Sequence, residues 1–231
     1  MKKITGFFHV CMLNHWEAVV KEQLALMDDS GLYEASSRII IGALGKVNEL
    51  NRLRDLIADY PKIKMAYYSE NLEEFEFPTL ELLHKYCLNT TSPARSGHPL
   101  GEGDKQPPDT VFYIHTKGVF DTRGTHWRNY LNHYNITLWR DCVAKLEEGF
   151  DIVGVKFMHA NHVFPQHFSG NFFHATCAHI AKLPSIEELR KEPVHKIGLR
   201  YNAEFWNGMG EPKWASLCQV IIDHKRTPEY K

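Results

Sequence analysis

The chain has 231 residues, of which 43% are hydrophobic and 24% charged, as in an ordinary globular protein with a buried core. Its 27 basic and 28 acidic side chains give a net charge of -1, which argues against a broad surface for nucleic acid or anionic membrane. Five scattered cysteines form no CxxC pair, and no apolar run is long enough to span a bilayer. We therefore expect a cytoplasmic protein with reduced thiols and no transmembrane segment.

Strand-like and helix-like patterns alternate through the first 157 residues. Continuous apolar runs predict strands at 4–13, 37–45, 62–70, 110–119 and 151–157. Apolar residues at helical spacing predict helices at 15–30, 46–60, 78–87 and 125–149. Asn14 is the predicted N-cap of the first helix, Gly31 its end, and Asn135 a predicted break in the last helix.

The pattern becomes irregular after residue 157. A long loop is predicted at 89–109, a helix ending at Pro184, and a final strand at 215–225. Strand–helix alternation predicts one α/β domain over 1–231, with a mostly parallel central sheet, helices on both faces and an irregular C-terminal part.

Polar side chains follow three of the predicted strands where each strand ends. They are the pair 14–15, the triplet 69–71 and the triplet 115–117, and ligands of such sheets bind at the carboxyl ends of strands. Lys117 can neutralise a phosphate in a partly desolvated cleft, and Gly118 lets the backbone approach a ligand. The alternative is an ordinary polar turn with a surface lysine.

Two further motifs suggest the handling of sugars. Ser169, Gly170 and Asn171 can offer a hydroxyl, an amide and backbone donors to sugar hydroxyls; the alternative is a turn between core aromatics. Glu204 lies in the aromatic segment "YNAEFWNG", where an acid can act as a general base and the ring of Trp206 can face a sugar. The alternative is an exposed glutamate on an amphipathic helix.

Arg128 and a group of histidines leave more than one interpretation open. Arg128 can grip a diphosphate bidentately, or it can lie on a solvated helix face. The metal-ligand candidates are His159, His162, His167 and His224, the last also as a lone ligand or phosphate contact. Their spacing matches no familiar zinc site, so a histidine-metal hydrolase is the weakest alternative.

The order of "FEFPTLELL", "YIHTKGV", "HWRNYL", "HFSGNFFHA…IAKLP" and "RYNAEFWNG", over about residues 75–208, resembles small GT-A-type glycosyltransferases of a bacterial and large-virus group. The resemblance implies a single Rossmann-like domain that transfers a hexosyl or deoxyhexosyl group from a nucleotide-sugar donor in carbohydrate biosynthesis. The acceptor is a glycan or another hydroxyl compound. A catalytically inactive nucleotide-sugar- or carbohydrate-binding module is the main alternative.

The resemblance also implies a division of labour along the chain. Residues 1–118 hold the donor nucleotide, with Asn14, His15 and Glu70 at the nucleoside, and residues 119–231 hold the acceptor. His115, Thr116, Lys117 and Arg128 complete the implied donor contacts.

Catalysis and metal use follow from the same resemblance. Glu204 stands where inverting relatives place their base, and residues 169–171 with Trp206 stand where sugar hydroxyls are recognised. Many relatives bind Mn²⁺ or Mg²⁺ on the donor diphosphate through an acidic DxD after the fourth strand. Here residues 115–117 read His-Thr-Lys, so metal independence is favoured, with Lys117 supplying the positive charge.

Overall fold

The computed structural model describes residues 4–91, 109–119, 125–194, 196 and 198–218. The strands are β1 (Ile4–Met12), β2 (Ser36–Gly45), β3 (Ile63–Ser69), β4 (Thr110–His115), β5 (Ile152–Gly154), β6 (Phe157–Met158), β7 (His167–Phe168), β8 (Phe173–Thr176) and β9 (Trp214–Ser216). The α-helices are α1 (Trp16–Ser30), α2 (Leu32–Ala35), α3 (Val47–Leu56), α4 (Phe77–Thr91), α5 (Thr125–Asn132), α6 (Trp139–Glu147), α7 (Cys177–Ile180), α8 (Ile186–Leu189) and α9 (Asn202–Phe205).

The described strands form a seven-stranded sheet in the order β3-β2-β1-β4-β8-β5-β9 and a small pair, β6-β7. In the large sheet β8 runs antiparallel to β4 and β5, whereas β1 pairs in parallel with β2 and β4, β2 with β3, and β5 with β9. The predicted α/β class with a mostly parallel central sheet is therefore confirmed.

Side-chain alternation along the strands builds a core on each face of the sheet. Phe8 and Ile114 join a cluster with residues of α1, α3 and α5, whereas Phe7 and Tyr113 join a second cluster with residues of α4, α7 and α8. In the β1–β4 register His9 stands opposite His115, on the same face as Phe7 and Tyr113. Both histidines therefore lie on the face that α4 covers.

Several predicted boundaries hold and others shift. Gly31 ends α1 in the left-handed conformation with φ 74°, but the N-cap is His15 and makes no side-chain capping bond, so the Asn14 cap is wrong. α3 ends at Leu56, before Pro61, and its C-cap is Ile57, whose N–H donates to the Leu53 carbonyl. The predicted break near Asn135 is confirmed as a π-helical turn, His133–Thr137, between α5 and α6.

The C-terminal part departs more from expectation. The predicted strand 151–157 is split, because Lys156 has φ 50° and sends Phe157 into the separate β6-β7 pair. β8, for which no strand was predicted, is an interior strand of the sheet. The predicted loop at 89–109 begins later, since α4 continues to Thr91; residues 92–108, and those of the predicted last strand beyond 218, lie outside the described residues.

His174 makes a testable contribution to stability. It is fully buried, its Nε2 lies 2.8 Å from the Asn135 carbonyl oxygen, and burial lowers its pKa from 6.5 to about 4. Between those values the unfolded chain binds more protons than the folded one, so this group removes about 1.4 kcal/mol of stability per pH unit as pH falls. His174→Gln should flatten the fall of unfolding free energy between pH 6.5 and 4, measured by urea titration; exposed His159→Gln is the control. Equal slopes for wild type and His174→Gln would contradict this.

Candidate functional site

A cavity of about 420 Å³ opens at the carboxyl ends of β1 and β4, on the face covered by α4. Its charged and imidazole-bearing lining residues are His9, Glu73, Glu76, His115, Lys117 and Arg200. Thr116, Gly118 and Cys11 also contribute to the wall. The cavity lies where the chain order of strands and polar turns predicts ligand binding.

The end of β4 is shaped by hydrogen bonds to β1. Thr116 N–H donates to the His9 carbonyl at 3.0 Å, and the Thr116 hydroxyl accepts from Cys11 N–H at 2.9 Å. Lys117 N–H then folds back onto the His115 carbonyl at 2.8 Å, and Gly118 follows with φ 76°. This turn brings Lys117, which is half-buried, into the cavity wall.

A buried polar network supports the same turn from behind. Gln23 donates to the His115 carbonyl at 3.1 Å, and Arg128 donates to the Lys117 carbonyl at 3.2 Å. Arg128 is itself buried and paired with Glu22 at 3.0 Å. Arg128 therefore holds the Lys117 backbone, and Arg128 itself does not line the cavity. Its predicted contact with a diphosphate stays a prediction.

Two cations in the cavity wall, Lys117 and Arg200, have no salt-bridge partner in the described part of the chain. Arg128 and Lys62, by contrast, each form a salt bridge with a glutamate. The charges of Lys117 and Arg200 both act on His115, whose pKa is lowered from 6.5 to about 3. Burial is the largest cause of this shift, and the positive charges of Lys117 and Arg200 add to it. The wall therefore offers two positive charges to an anionic ligand.

Glu76 enters the cavity from the start of α4. Its carbonyl accepts the N–H groups of Thr79 and Leu80 at 3.1 Å, so the residue stands at the N-cap position. Its Oε2 accepts from the Tyr113 hydroxyl at 3.1 Å and from the Asn171 side-chain amide. Its Oε1 lies 3.4 Å from His115 Nδ1. The carboxylate is thereby held in one orientation toward the end of β4.

The Ser169–Asn171 turn carries the opposite side of this cluster. His115 Nε2 donates to the Gly170 carbonyl at 2.9 Å, and Gly170 N–H donates to Glu204 Oε1 at 2.6 Å. Asn171 Oδ1 accepts from the Asn207 amide at 2.9 Å. The turn is therefore fixed by two carboxylates, one imidazole and one amide, and its polar groups are largely used within the protein.

The structure brings some of the predicted site residues together and leaves others apart. His115, Thr116 and Lys117 line the cavity; Asn14, His15 and Glu70 do not. Glu70 accepts from Val47 N–H at 2.9 Å and so caps α3. The predicted nucleoside contacts of these three residues stay predictions.

The predicted acceptor side is equally mixed. Ser169, Gly170 and Asn171 form a turn beside the cavity residues Glu76 and His115. The ring of Trp206 is 0% exposed and its Nε1–H donates to the Pro184 carbonyl at 2.9 Å, so it packs in the core. Its stacking on a sugar stays a prediction.

The side chains after β4 do not fit Mg²⁺ or Mn²⁺. These ions prefer carboxylate and carbonyl oxygens, whereas this turn presents an imidazole, a hydroxyl already bonded to Cys11 N–H, and the Lys117 ammonium. In the described part of the chain, no three His, Cys, Asp or Glu side chains are placed to hold a metal ion. His224 lies outside that part.

Sequence reasoning missed Glu76, Arg200 and His9. Glu76 had a usable signal, since it stands between Phe75 and Phe77 just before a helix with a proline in its first turn, the same aromatic setting that singled out Glu204. His9 lies in a strand whose side chains, Thr5 apart, are otherwise apolar. Arg200 had no local signal, because only the tertiary fold brings it to the cavity.

A family model described as a domain of unknown function (DUF8361) matches residues 8–216. No curated protein sequence matches the chain. Of the helices in the described ranges, none has the length and apolar character needed to cross a membrane.

Solved structures with a similar course of chain share little sequence with it. They include 4-diphosphocytidyl-2C-methyl-D-erythritol synthase of Anaerococcus prevotii, with 12% identity, TM-score 0.47, and coverage of 94% of this chain and 89% of that one. HddC of Yersinia pseudotuberculosis has 10% sequence identity and a TM-score of 0.46, and the match covers 94% of this chain and 90% of HddC. Residues 1–349 of TarS from S. aureus have 10% sequence identity and a TM-score of 0.44. That match covers 93% of this chain and 58% of the TarS chain.

Proposed function

Because the chain belongs to the DUF8361 family, described as a domain of unknown function, we propose its activity from the site itself. We propose a glycosyltransferase that moves a sugar from a nucleotide-diphosphate sugar to a hydroxyl of a glycan or another acceptor. The observation that carries the proposal is the cavity at the carboxyl ends of β1 and β4, where Lys117 and Arg200 stand without a carboxylate partner among the described residues.

Lys117 and Arg200 are suited to bind the leaving group of the donor, the nucleoside diphosphate. When the bond between the sugar and the diphosphate breaks, negative charge grows on the diphosphate oxygens. Lys117 and Arg200 can neutralise that charge in a partly enclosed cavity, where a charged contact is worth more than in water. The hydrogen bond from Arg128 to the Lys117 carbonyl fixes the backbone from which the lysine side chain extends.

The acceptor hydroxyl needs a base. The sequence nominates Glu204, and the structure adds Glu76; both carboxylates hold the Ser169–Asn171 turn. Glu204 as base and an inverting outcome are proposals on the sequence resemblance alone.

A thermal-shift screen of nucleotide-diphosphate sugars, each with and without Mn²⁺, tests the function. A donor at about 100 times its Kd should raise Tm by about 5 °C or more, and it should then release free nucleoside diphosphate on incubation with sugar acceptors. Binding without any transfer or hydrolysis would favour the inactive binding module. No shift with any donor would contradict the proposal, and tightly bound stoichiometric zinc would favour the metal hydrolase.

A further inference from the structure

Two hydrogen-bond acceptors face each other inside the cavity. His115 Nε2 is bonded to the Gly170 carbonyl at 2.9 Å, and because a carbonyl can only accept, Nε2 carries the hydrogen. A neutral imidazole then has a bare lone pair at Nδ1. That lone pair lies 3.4 Å from Oε1 of Glu76, which also carries lone pairs. A proton or a donor group between them would satisfy both atoms.

The surroundings keep His115 neutral. The residue is 6% exposed, and the neighbouring charge of Lys117 opposes a second positive charge on the ring. Burial therefore combines with Lys117 to lower its pKa to about 3. At neutral pH the ring stays an acceptor at Nδ1, and the lone pairs of the two residues remain opposed.

Among the described residues, the hydrogen bonds to Glu76 fall on one carboxylate oxygen, Oε2. Oε2 receives the Tyr113 hydroxyl and the Asn171 amide, two donors that hold the carboxylate in place. Oε1 points to His115 Nδ1, and Glu76 belongs to the cavity wall. Glu204 also has one bonded oxygen, Oε1, which accepts from Gly170 N–H, but it differs from Glu76 in being absent from the cavity lining.

We propose that Glu76 is the general base of the transfer reaction and that His115 Nδ1 receives the hydrogen bond of the newly protonated carboxyl. This rests on the proposed function and specifies its base. The acceptor's O–H bond breaks, its proton goes to Glu76 Oε1, and its oxygen forms a bond to the anomeric carbon. The bond from that carbon to the diphosphate breaks, and its electron pair leaves with the nucleoside diphosphate beside Lys117 and Arg200.

The pairing favours the transition state over the ground state. Before reaction, Oε1 and Nδ1 present lone pairs to each other; as the proton reaches Oε1, the contact becomes an O–H···N hydrogen bond. Glu204 acts here as a positioning residue, since it accepts the N–H of Gly170, the residue whose carbonyl fixes the His115 tautomer.

Glu76→Gln is a clean test because it keeps the shape of the site. The glutamine oxygen can still accept from Tyr113 and Asn171, and its amide can donate to His115 Nδ1, so the fold should be retained. Glu74→Gln is the matched control: Glu74 lies in the same segment, accepts from the Tyr67 hydroxyl at 2.7 Å, and is absent from the cavity lining. Glu204→Gln is the third variant and keeps an oxygen for Gly170 N–H.

The rates of nucleoside diphosphate release should separate these variants, using the donor that the thermal-shift screen identifies. We expect Glu76→Gln to lower kcat at least about 100-fold while the donor still raises Tm, Glu74→Gln to match wild type, and Glu204→Gln to lose less than about 10-fold. A wild-type kcat in Glu76→Gln would overturn the role of Glu76, and so would a loss of about 100-fold that occurs in Glu204→Gln and not in Glu76→Gln. Either result would leave the proposed function standing.

A second readout does not depend on turnover. Nitrogen NMR of His115 at pH 7 should show one N–H, at Nε2, and a bare Nδ1 in the wild type, and Nδ1 should shift on gaining a hydrogen bond in Glu76→Gln. A doubly protonated His115 would overturn the proposal. A wild type that neither binds nor turns over any donor would instead remove the proposed function, and the catalytic role of Glu76 with it.

Discussion

Replacing Lys117 with alanine is expected to weaken binding of a nucleotide-diphosphate sugar by about 10- to 100-fold. Lys117 lines the cavity and has no carboxylate partner among the described residues, and its backbone is fixed by bonds from Arg128 and to His115. A hydrogen bond from a charged group contributes about 1.5–3 kcal/mol, and 1.4 kcal/mol corresponds to a tenfold change in Kd. Isothermal titration calorimetry of both proteins measures the difference directly.

Lys64→Ala is the matched control for Lys117→Ala. Lys64 is an exposed lysine on β3, and it is absent from the cavity lining, so its loss removes one charge without touching the site. Its Kd should equal that of the wild type at the same ionic strength. An equal weakening in both variants would show a diffuse charge effect, and an unchanged Kd in Lys117→Ala would remove Lys117 from the donor site.

Gly170→Ala is expected to cost about 2–4 kcal/mol of unfolding free energy, the largest stability effect foreseen for the site. Gly170 has φ 85°, a region that L side chains avoid, and an added Cβ would stand 2.8 Å from Leu131 Cδ1 and from Trp127 Nε1. Both the backbone strain and the collision act at Gly170, whose carbonyl accepts from His115 and whose N–H donates to Glu204. Guanidinium unfolding curves at neutral pH give the difference.

Gly210→Ala separates strain from collision. Gly210 has a similar φ of 74°, but the nearest atom to an added Cβ is Leu183 Cδ2 at an ordinary 3.8 Å. We expect a smaller loss there, about 1 kcal/mol, because only the left-handed backbone is penalised. Equal losses in the two variants would contradict a tightly packed turn at Gly170.

The sheet and its polar edge could be predicted from local patterns. β4 is a continuous apolar run because helices cover both faces of the sheet, and the run ends where His115, Thr116 and Lys117 begin. The carboxyl ends of parallel strands share one edge, so the position of these three residues followed from strand order alone. The β5 break at Lys156 depended on a single positive φ that no local rule gives.

The pairing of charges within the site could not be read from the chain. Glu76 meets His115 only because α4 packs on the face of the sheet that carries both His9 and His115, and Thr79 of that helix contacts His9 Nδ1 at 2.9 Å. The pairing of Arg128 with Glu22 could not be predicted, because the two residues are distant in sequence. Tertiary contacts decide which cations are paired within the protein.

Hydrogen–deuterium exchange with and without the bound donor tests most directly whether the donor occupies the cavity at the ends of β1 and β4. We expect the donor to slow exchange in peptides covering 111–119 and 71–77, which carry Lys117 and Glu76, and to leave the His133–Thr137 turn, which lines a second pocket, unchanged. Slowed exchange confined to His133–Thr137, with none at 111–119, would contradict the proposed donor site.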